Sequence, residues 1–106
     1  MPFVNLNEIE PREIVKGYHG RFVHAENMTM AFWEVEAGSV LPEHKHPHEQ
    51  ITTVLEGEFE LTVAGEKQLC KPGVAVVIPG NVPHNAVALT PCRILDAFYP
   101  PRLEYK

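Results

Sequence analysis

Hydrophobic and polar residues alternate along much of this chain with a period of two. The clearest case is the segment 58–64, in which Phe59, Leu61 and Val63 are separated by glutamate and threonine. Such alternation predicts a β-strand with one buried face, because successive side chains of a strand point to opposite sides of the sheet. Similar short runs predict further strands at residues 28–36, 51–55, 74–78, 86–90 and 93–99.

Turn-forming residues separate these runs, and helix signals are weak. Ten prolines are spread through the 106 residues, and no long segment has helical periodicity, so at most a short helical turn is expected around residues 7–16. Short strands at this spacing predict an all-β barrel or sandwich. The residues that separate the strands are Gly38, Gly57, Gly65, Pro72-Gly73 and Pro79-Gly80.

Length and composition narrow the function classes. A chain of 106 residues predicts a single domain, residues 1–106, built around one modest core. The formal net charge of −5 argues against binding to a nucleic-acid backbone. No apolar run approaches the roughly 20 residues that cross a bilayer, so we expect no membrane partner and a cytoplasmic location. Cys70 and Cys92 form no metal-binding or redox pair motif and are expected in the core.

One segment concentrates histidines at alternate positions. His44, His46, His48 and Gln50 would share one face of an extended backbone, if Pro47 does not break the strand. Imidazole nitrogens with an amide oxygen are typical of a divalent metal site. The alternative is a solvated, histidine-rich loop.

A metal site in a small barrel also needs a ligand from a distant strand. The segment 73–84 supplies one, because an apolar strand there ends in a proline turn that delivers His84. The alternative for His84 is a surface histidine that caps the turn.

These two segments resemble the paired motifs of the cupin superfamily. In the second motif Asn81 replaces the usual glycine, a change that asparagine tolerates because it accepts left-handed backbone geometry. The resemblance implies a small antiparallel double-stranded β-helix, the cupin jelly-roll barrel of RmlC-like proteins. The matched positions are Gly38, His44, His46, Gln50 and Gly57 in the first motif, and Gly73, Pro79 and His84 in the second.

The C-terminal strand carries an acid among apolar residues. Asp96 lies between Leu95 and Ala97, and a buried carboxylate is costly unless it is paired or functional. One interpretation is an ion pair between Asp96 and Arg102. The other is that Asp96 transfers protons beside the metal while Arg102 holds a substrate carboxylate.

A narrower resemblance rests on three patterns of this chain. His-x-His-Pro-His-x-Gln, Asn-Val-Pro-His and a final Asp-x-Phe-x-Pro-x-Arg are similar to small cupins of the KdgF type, which convert 4,5-unsaturated monouronates to linear ketones during pectin and alginate breakdown. The resemblance implies that Asp96 and Arg102 are catalytic and that Phe98 lines the substrate pocket. We expect His48 at the rim of this pocket or behind the metal ligands. The implied metal ligands are His44, His46, Gln50 and His84.

Gln50 stands where many cupins have glutamate, so a bound metal would keep its full double charge and act as a stronger Lewis acid, though bound less tightly. The ligand set accepts zinc, nickel, manganese or iron.

Three functions remain open: a metal-dependent enzyme on a small acidic sugar or oxo-acid, a metal-dependent dioxygenase, and a non-catalytic protein that binds a small ligand or metal. We also expect a homodimer, with Phe32, Trp33 and Tyr99 as interface candidates.

Overall fold

The computed structural model describes residues 2–106, and antiparallel strands dominate them. Short 3-10 helices, Leu6–Glu8 and Leu103–Tyr105, lie at the two ends. The strands of the described chain are β1 (Arg12–Val15), β2 (Tyr18–His24), β3 (Thr29–Val35), β4 (Val40–His44), β5 (Glu49–Glu56), β6 (Phe59–Val63), β7 (Glu66–Cys70), β8 (Ala75–Ile78), β9 (His84–Ala88) and β10 (Cys92–Tyr99).

Two antiparallel sheets make up the barrel. One has six strands in the order β1-β2-β3-β10-β5-β8, and the other has four in the order β4-β9-β6-β7. The chain crosses from one sheet to the other between β3 and β4, and again between β4 and β5. The predicted all-β jelly-roll class is therefore confirmed, and the crossing between β4 and β5 falls within the histidine-rich segment.

The period-two pattern corresponds to the inner faces of these sheets. In β6, Phe59 and Leu61 are buried while the residues between and beyond them are only partly buried. In β10, Ile94, Asp96 and Phe98 point inward in the same way. Burial of apolar area at roughly 25 cal/mol per Å² is the main stabilising contribution, and it is largest at such alternating positions.

An aromatic cluster forms part of the buried core. Trp33 is 8% exposed and its ring meets those of Tyr18 and Phe22 edge to face, with centroids 6.3 and 5.4 Å away. Trp33 therefore belongs to the core, and its expected place at an exposed interface was wrong. Tyr99 is exposed and Phe32 is half-buried on the outer face of the same sheet.

Two further expectations require correction. The helical turn expected around residues 7–16 is limited to the 3-10 helix Leu6–Glu8, and Arg12–Val15 is a strand. Strand β7 was not predicted, since only Cys70 of its five residues is buried and the strand has no apolar alternation. No helix among residues 2–106 is long and apolar enough to cross a membrane.

Candidate metal centre

The histidine-rich segment is a sheet-to-sheet crossing rather than one strand. His44 is the last residue of β4, Gln50 is the second residue of β5, and residues 45–48 between them form a loop that contains Pro47. The expectation that four side chains share one face of an extended backbone was therefore wrong. They converge because the loop turns the chain from one sheet to the other.

Three histidines meet at this crossing. His44 and His84 are direct partners in the register of β4 and β9, and their ring centroids lie 4.2 Å apart. The ring of His46 is 5.1 Å from that of His84 and 5.7 Å from that of His44. One ring nitrogen from each of the three lies within 4.8 Å of the others. The group can therefore hold one metal ion.

The backbone fixes which ring nitrogen faces the centre. Each Nδ1 lies beside a carbonyl oxygen two residues away, and a carbonyl can only accept a hydrogen bond, so each neutral ring carries its proton on Nδ1. The lone pair is then on Nε2 in all three rings. The paired groups are His44 with the Pro42 carbonyl at 2.9 Å, His46 with that of His48 at 3.1 Å, and His84 with that of Val82 at 2.9 Å.

The environment of these nitrogens fits a divalent cation. In the described chain the Nε2 of His84 is buried without a hydrogen-bond partner, and buried polar atoms are rarely left so. Burial, followed by the charge of Arg102, lowers the pKa of His46 to about 4, and burial also lowers the pKa of His84. Both rings are therefore neutral near pH 7, which is the form that binds metal.

Gln50 adds an oxygen to the group. Its Oε1 lies 3.0 Å from the Nε2 of His46, while its Nε2 donates to the hydroxyl of Thr52 over 2.8 Å. The side chain is only 6% exposed. The residues of the described chain thus offer three imidazole nitrogens and one neutral amide oxygen, a donor set suited to zinc, nickel, manganese or iron.

The second histidine segment is joined directly to the first. The backbone N–H of Asn81 donates to the carbonyl of His46 over 2.7 Å. Gly80 packs so closely on the same loop that an added Cβ would lie 2.5 Å from the carbonyl oxygen of Pro47. Asn81 has a φ of 64°, so the left-handed geometry expected there is confirmed. This contact sets the position of the loop that carries His46.

A cavity runs from the histidine group into the barrel. Its walls combine apolar and aromatic core residues with polar and charged side chains. The lining includes neither His46 nor His48. The ring of His48 packs 5.4 Å from that of His46 and 6.4 Å from that of Phe98. The predicted site residues that do line it are His44, Gln50, His84, Asp96, Phe98 and Arg102.

Asp96 is held by two donors inside the barrel. Its Oδ2 accepts from Trp33 Nε1 over 2.9 Å and its Oδ1 accepts from Thr52 Oγ1 over 2.6 Å. Burial raises the pKa of Asp96, and these hydrogen bonds oppose the shift. Among residues 2–106, Asp96 forms no ion pair with Arg102, whose Nε instead bonds to Glu104 over 3.0 Å. The ion-pair interpretation of Asp96 is therefore wrong.

Arg102 is fixed by aromatic rings rather than by Asp96. Its guanidinium carbon lies 4.8 Å from the ring centroid of Phe98 and 4.5 Å from that of Tyr105. The residue is 9% exposed, and its backbone N–H donates to Thr29 over 2.9 Å. With Nε bonded to Glu104, the two terminal nitrogens remain for an anionic ligand in the cavity.

Sequence reasoning missed three contributors to this region: Thr52, Trp33 as a donor to Asp96, and Tyr105. A signal for Thr52 existed, because it follows Gln50 by two positions and so shares its face of β5. The contribution of Trp33 depends on the pairing of β3 with β10, and that of Tyr105 on how the C-terminal segment folds back. Neither is a local property of the sequence.

Known proteins match both the sequence and the fold. A family model described as "Cupin domain" matches residues 31–98. The pectin degradation protein KdgF of Dickeya dadantii is 32% identical over 83 residues, which cover 76% of this chain and 76% of that protein. The structure of KdgF from Halomonas sp. has a TM-score of 0.93 at 30% identity and covers 100% of this chain and 99% of that one. An RmlC-like cupin from Shewanella frigidimarina has a TM-score of 0.94 at 25% identity, covering 100% of this chain and 96% of its own.

Proposed function

The chain belongs to the cupin family, and from this we propose that it is a metal-dependent enzyme that converts 4,5-unsaturated monouronates to linear ketones. The observation that carries the proposal is a single cavity lined by His44 and His84 of the histidine group, by a buried carboxylate, Asp96, and by a buried guanidinium, Arg102. The similarity to two proteins named KdgF, one of them described as a pectin degradation protein, supports this substrate class.

We assign the metal ligands to the Nε2 atoms of His44, His46 and His84 and to Oε1 of Gln50. A divalent cation held there supplies a Lewis acid that stabilises negative charge developing on an oxygen. Because all four donors are neutral, no protein charge offsets that of the cation, which suits polarisation of a hydroxyl or carbonyl oxygen. The metal can be zinc, nickel, manganese or iron.

The reaction is an isomerisation with a simple proton balance. Opening the hemiacetal ring breaks the bond between C1 and the ring oxygen. The C1 hydroxyl loses its proton and the released oxygen on C5 gains one, which leaves an aldehyde and an enol. The enol becomes a ketone when C4 gains a proton and the enol oxygen loses one. One carboxylate can accept and return these protons, and we assign that role to Asp96, which lines the cavity.

We assign binding of the substrate carboxylate to Arg102. A guanidinium presents parallel N–H donors that match a carboxylate. The rings of Phe98 and Tyr105 hold its plane, and Glu104 holds its Nε, so little side-chain freedom is lost on binding. His48 stays a predicted rim residue whose carbonyl orients His46.

The proposal is tested by following the ultraviolet absorbance of an unsaturated monouronate, which disappears when the C4–C5 double bond is lost. We expect metal-loaded protein to speed this loss and chelator-treated protein to do so far less. A saturated uronate is the control for non-specific absorbance change. No acceleration by loaded protein would overturn the proposal, and a loss that requires oxygen would favour a dioxygenase instead.

The predicted homodimer also remains a proposal. Ile51, Val77 and Tyr99 are exposed on the outer side of the six-stranded sheet, and apolar surface of this kind is typical of an interface between subunits. Light scattering distinguishes the states, because a monomer has a mass of 11.9 kDa and a dimer twice that value.

A further inference from the structure

A chain of hydrogen bonds leads from the barrel core to the metal centre. Thr52 lies directly opposite Asp96 where β5 pairs with β10, and Gln50 is opposite Phe98 in the same ladder. The Nε2 of Gln50 donates to Thr52, and Thr52 donates to Oδ1 of Asp96. These three side chains are each less than 9% exposed. Solvent therefore plays little part in setting the direction of the bonds.

The direction follows from the number of protons available. The Thr52 hydroxyl has one proton, and its 2.6 Å distance from Asp96 is that of a short bond to a carboxylate. Toward Gln50 this hydroxyl can then only accept, so the Gln50 group that faces it must be the NH₂. The amide oxygen is thereby turned to the opposite side, toward His46.

The same geometry brings two lone pairs together. The Nδ1 of His46 faces the carbonyl of His48, so the Nε2 of the neutral ring bears a lone pair. That atom lies 3.0 Å from the Oε1 of Gln50, which is also an acceptor. Two acceptors at this distance repel unless a cation lies close to both. The pair is therefore arranged for a metal, provided that the amide keeps this orientation.

We propose that Thr52 is a positioning residue that fixes the amide of Gln50 with its oxygen toward the metal. The inference rests on the proposed ligand set. It adds the residue that determines which end of the Gln50 amide faces the metal. Without the hydroxyl, the NH₂ of Gln50 loses the acceptor that it contacts over 2.8 Å, and the amide can reverse and present two N–H groups to the cation. Trp33 completes the arrangement, since it donates to the other oxygen of Asp96.

The test measures metal affinity in the absence of substrate. We expect Thr52→Val, which has nearly the same shape, to weaken binding of Co²⁺ or Ni²⁺ by about 10- to 100-fold, the range found for residues that orient metal ligands. Thr52→Ser keeps the hydroxyl and should stay within about threefold of the parent protein, well short of that range. Thr53→Val is the matched control, because Thr53 is the next residue of β5 and faces the other side of the sheet. If Thr52→Val does not fold, Thr52→Ala replaces it.

A second background separates positioning from general damage. In Gln50→Glu the ligand is a carboxylate whose two oxygens are equivalent, so no polarity remains to be fixed. Thr52→Val should then cost less than about threefold in affinity, below the range expected for an orienting residue. Equal losses with Gln50 and with Glu at this position would overturn the inference, as would a parent protein that binds neither metal.

The two proposals fail in different ways. Parent-like affinity in Thr52→Val, together with rapid loss of monouronate absorbance in the parent, would overturn the role of Thr52 and leave the enzyme proposal intact. Weakened affinity in Thr52→Val, without turnover of monouronate by the parent, would support the role of Thr52 and overturn the enzyme proposal.

Discussion

Two clusters among residues 2–106 each bring three metal-binding atoms within 4.8 Å of one another. One consists of His44, His46 and His84, and the other of Glu13, His19 and Glu36. By distance alone they are equivalent. They differ in what else their donor atoms contact, and this difference separates a candidate metal centre from a surface ion pair.

In the second cluster, the atoms that could bind a metal already have hydrogen-bond partners. His19 Nε2 lies 2.7 Å from Glu36 Oε2, and Glu13 Oε2 accepts from the backbone N–H of Gly17 over 2.9 Å. Both carboxylates are exposed. In the first cluster the backbone occupies every Nδ1 and leaves Nε2 of His84 buried without a partner among residues 2–106. Convergence together with an unmet bonding requirement is therefore more informative than convergence alone.

The largest expected effect comes from removing one member of each cluster. His84→Ala should lower affinity for Ni²⁺ or Zn²⁺ by more than the 10- to 100-fold typical of residues that only orient ligands, because a ligand itself is lost. His19→Ala should leave the affinity and the one-to-one stoichiometry unchanged. Calorimetric titration of both variants measures this difference. Loss of binding in His19→Ala with retention in His84→Ala would reverse the comparison and place the metal on the surface.

A second difference is chemical, since the carboxylate near the histidine cluster, Asp96, is buried inside the barrel, whereas the carboxylates of Glu13 and Glu36 are exposed. Asp96→Asn removes the proton-transfer group but keeps an oxygen to accept from Trp33 or Thr52. We expect kcat for monouronate conversion to fall by about 10²- to 10⁴-fold, with KM changed much less. Glu36→Gln is the matched control for loss of one carboxylate and should leave kcat unchanged.

The Asp96→Asn variant also tests whether the protein is an enzyme at all. A binding protein should retain its ligand in this variant, whereas an enzyme should lose turnover far more than affinity. Unchanged turnover in Asp96→Asn, with metal and substrate bound as in the parent, would remove Asp96 from the mechanism.

Much of the fold could be predicted from the sequence, because inward and outward positions alternate in β3, β5, β6 and β10. Strand β7 could not, since it lies at the edge of the four-stranded sheet and buries only Cys70. Trp33 illustrates another limit. The sequence suggested that Trp33 lies at an interface. The register of β3 against β10 instead directs its indole N–H toward Asp96.

The candidate site was predictable in its members but not in its geometry. Shared parity suggested that His44, His46 and Gln50 lie together, yet the strand ends at His44 and the loop of residues 45–48 brings them close. The pairing of Arg102 with Glu104 was also beyond a sequence argument, because it depends on the path of the chain after β10. The position of Thr52 depends on the register of β5 against β10, which brings it to Asp96, 44 residues further along the chain.

The smallest expected effect concerns the surface cluster and its pH dependence. The hydrogen bond with Glu36 raises the pKa of His19, and Glu13 and Glu34 add to the shift. A folded-state pKa above the unfolded value of about 6.5 means that the imidazolium stabilises the fold below that pH and that the contribution is lost as pH rises through the folded pKa.

The substitution His19→Gln tests this, because it keeps a hydrogen-bonding side chain that never becomes charged. In metal-free protein, the parent's advantage over this variant in free energy of unfolding should therefore be greater at about pH 5.5 than at about pH 8.5, by less than about 1 kcal/mol for so exposed a pair. Urea unfolding at both values measures the advantage. An equal advantage at both would mean that the charge of His19 does not hold these carboxylates, and a metal would again become a reasonable explanation for why they converge.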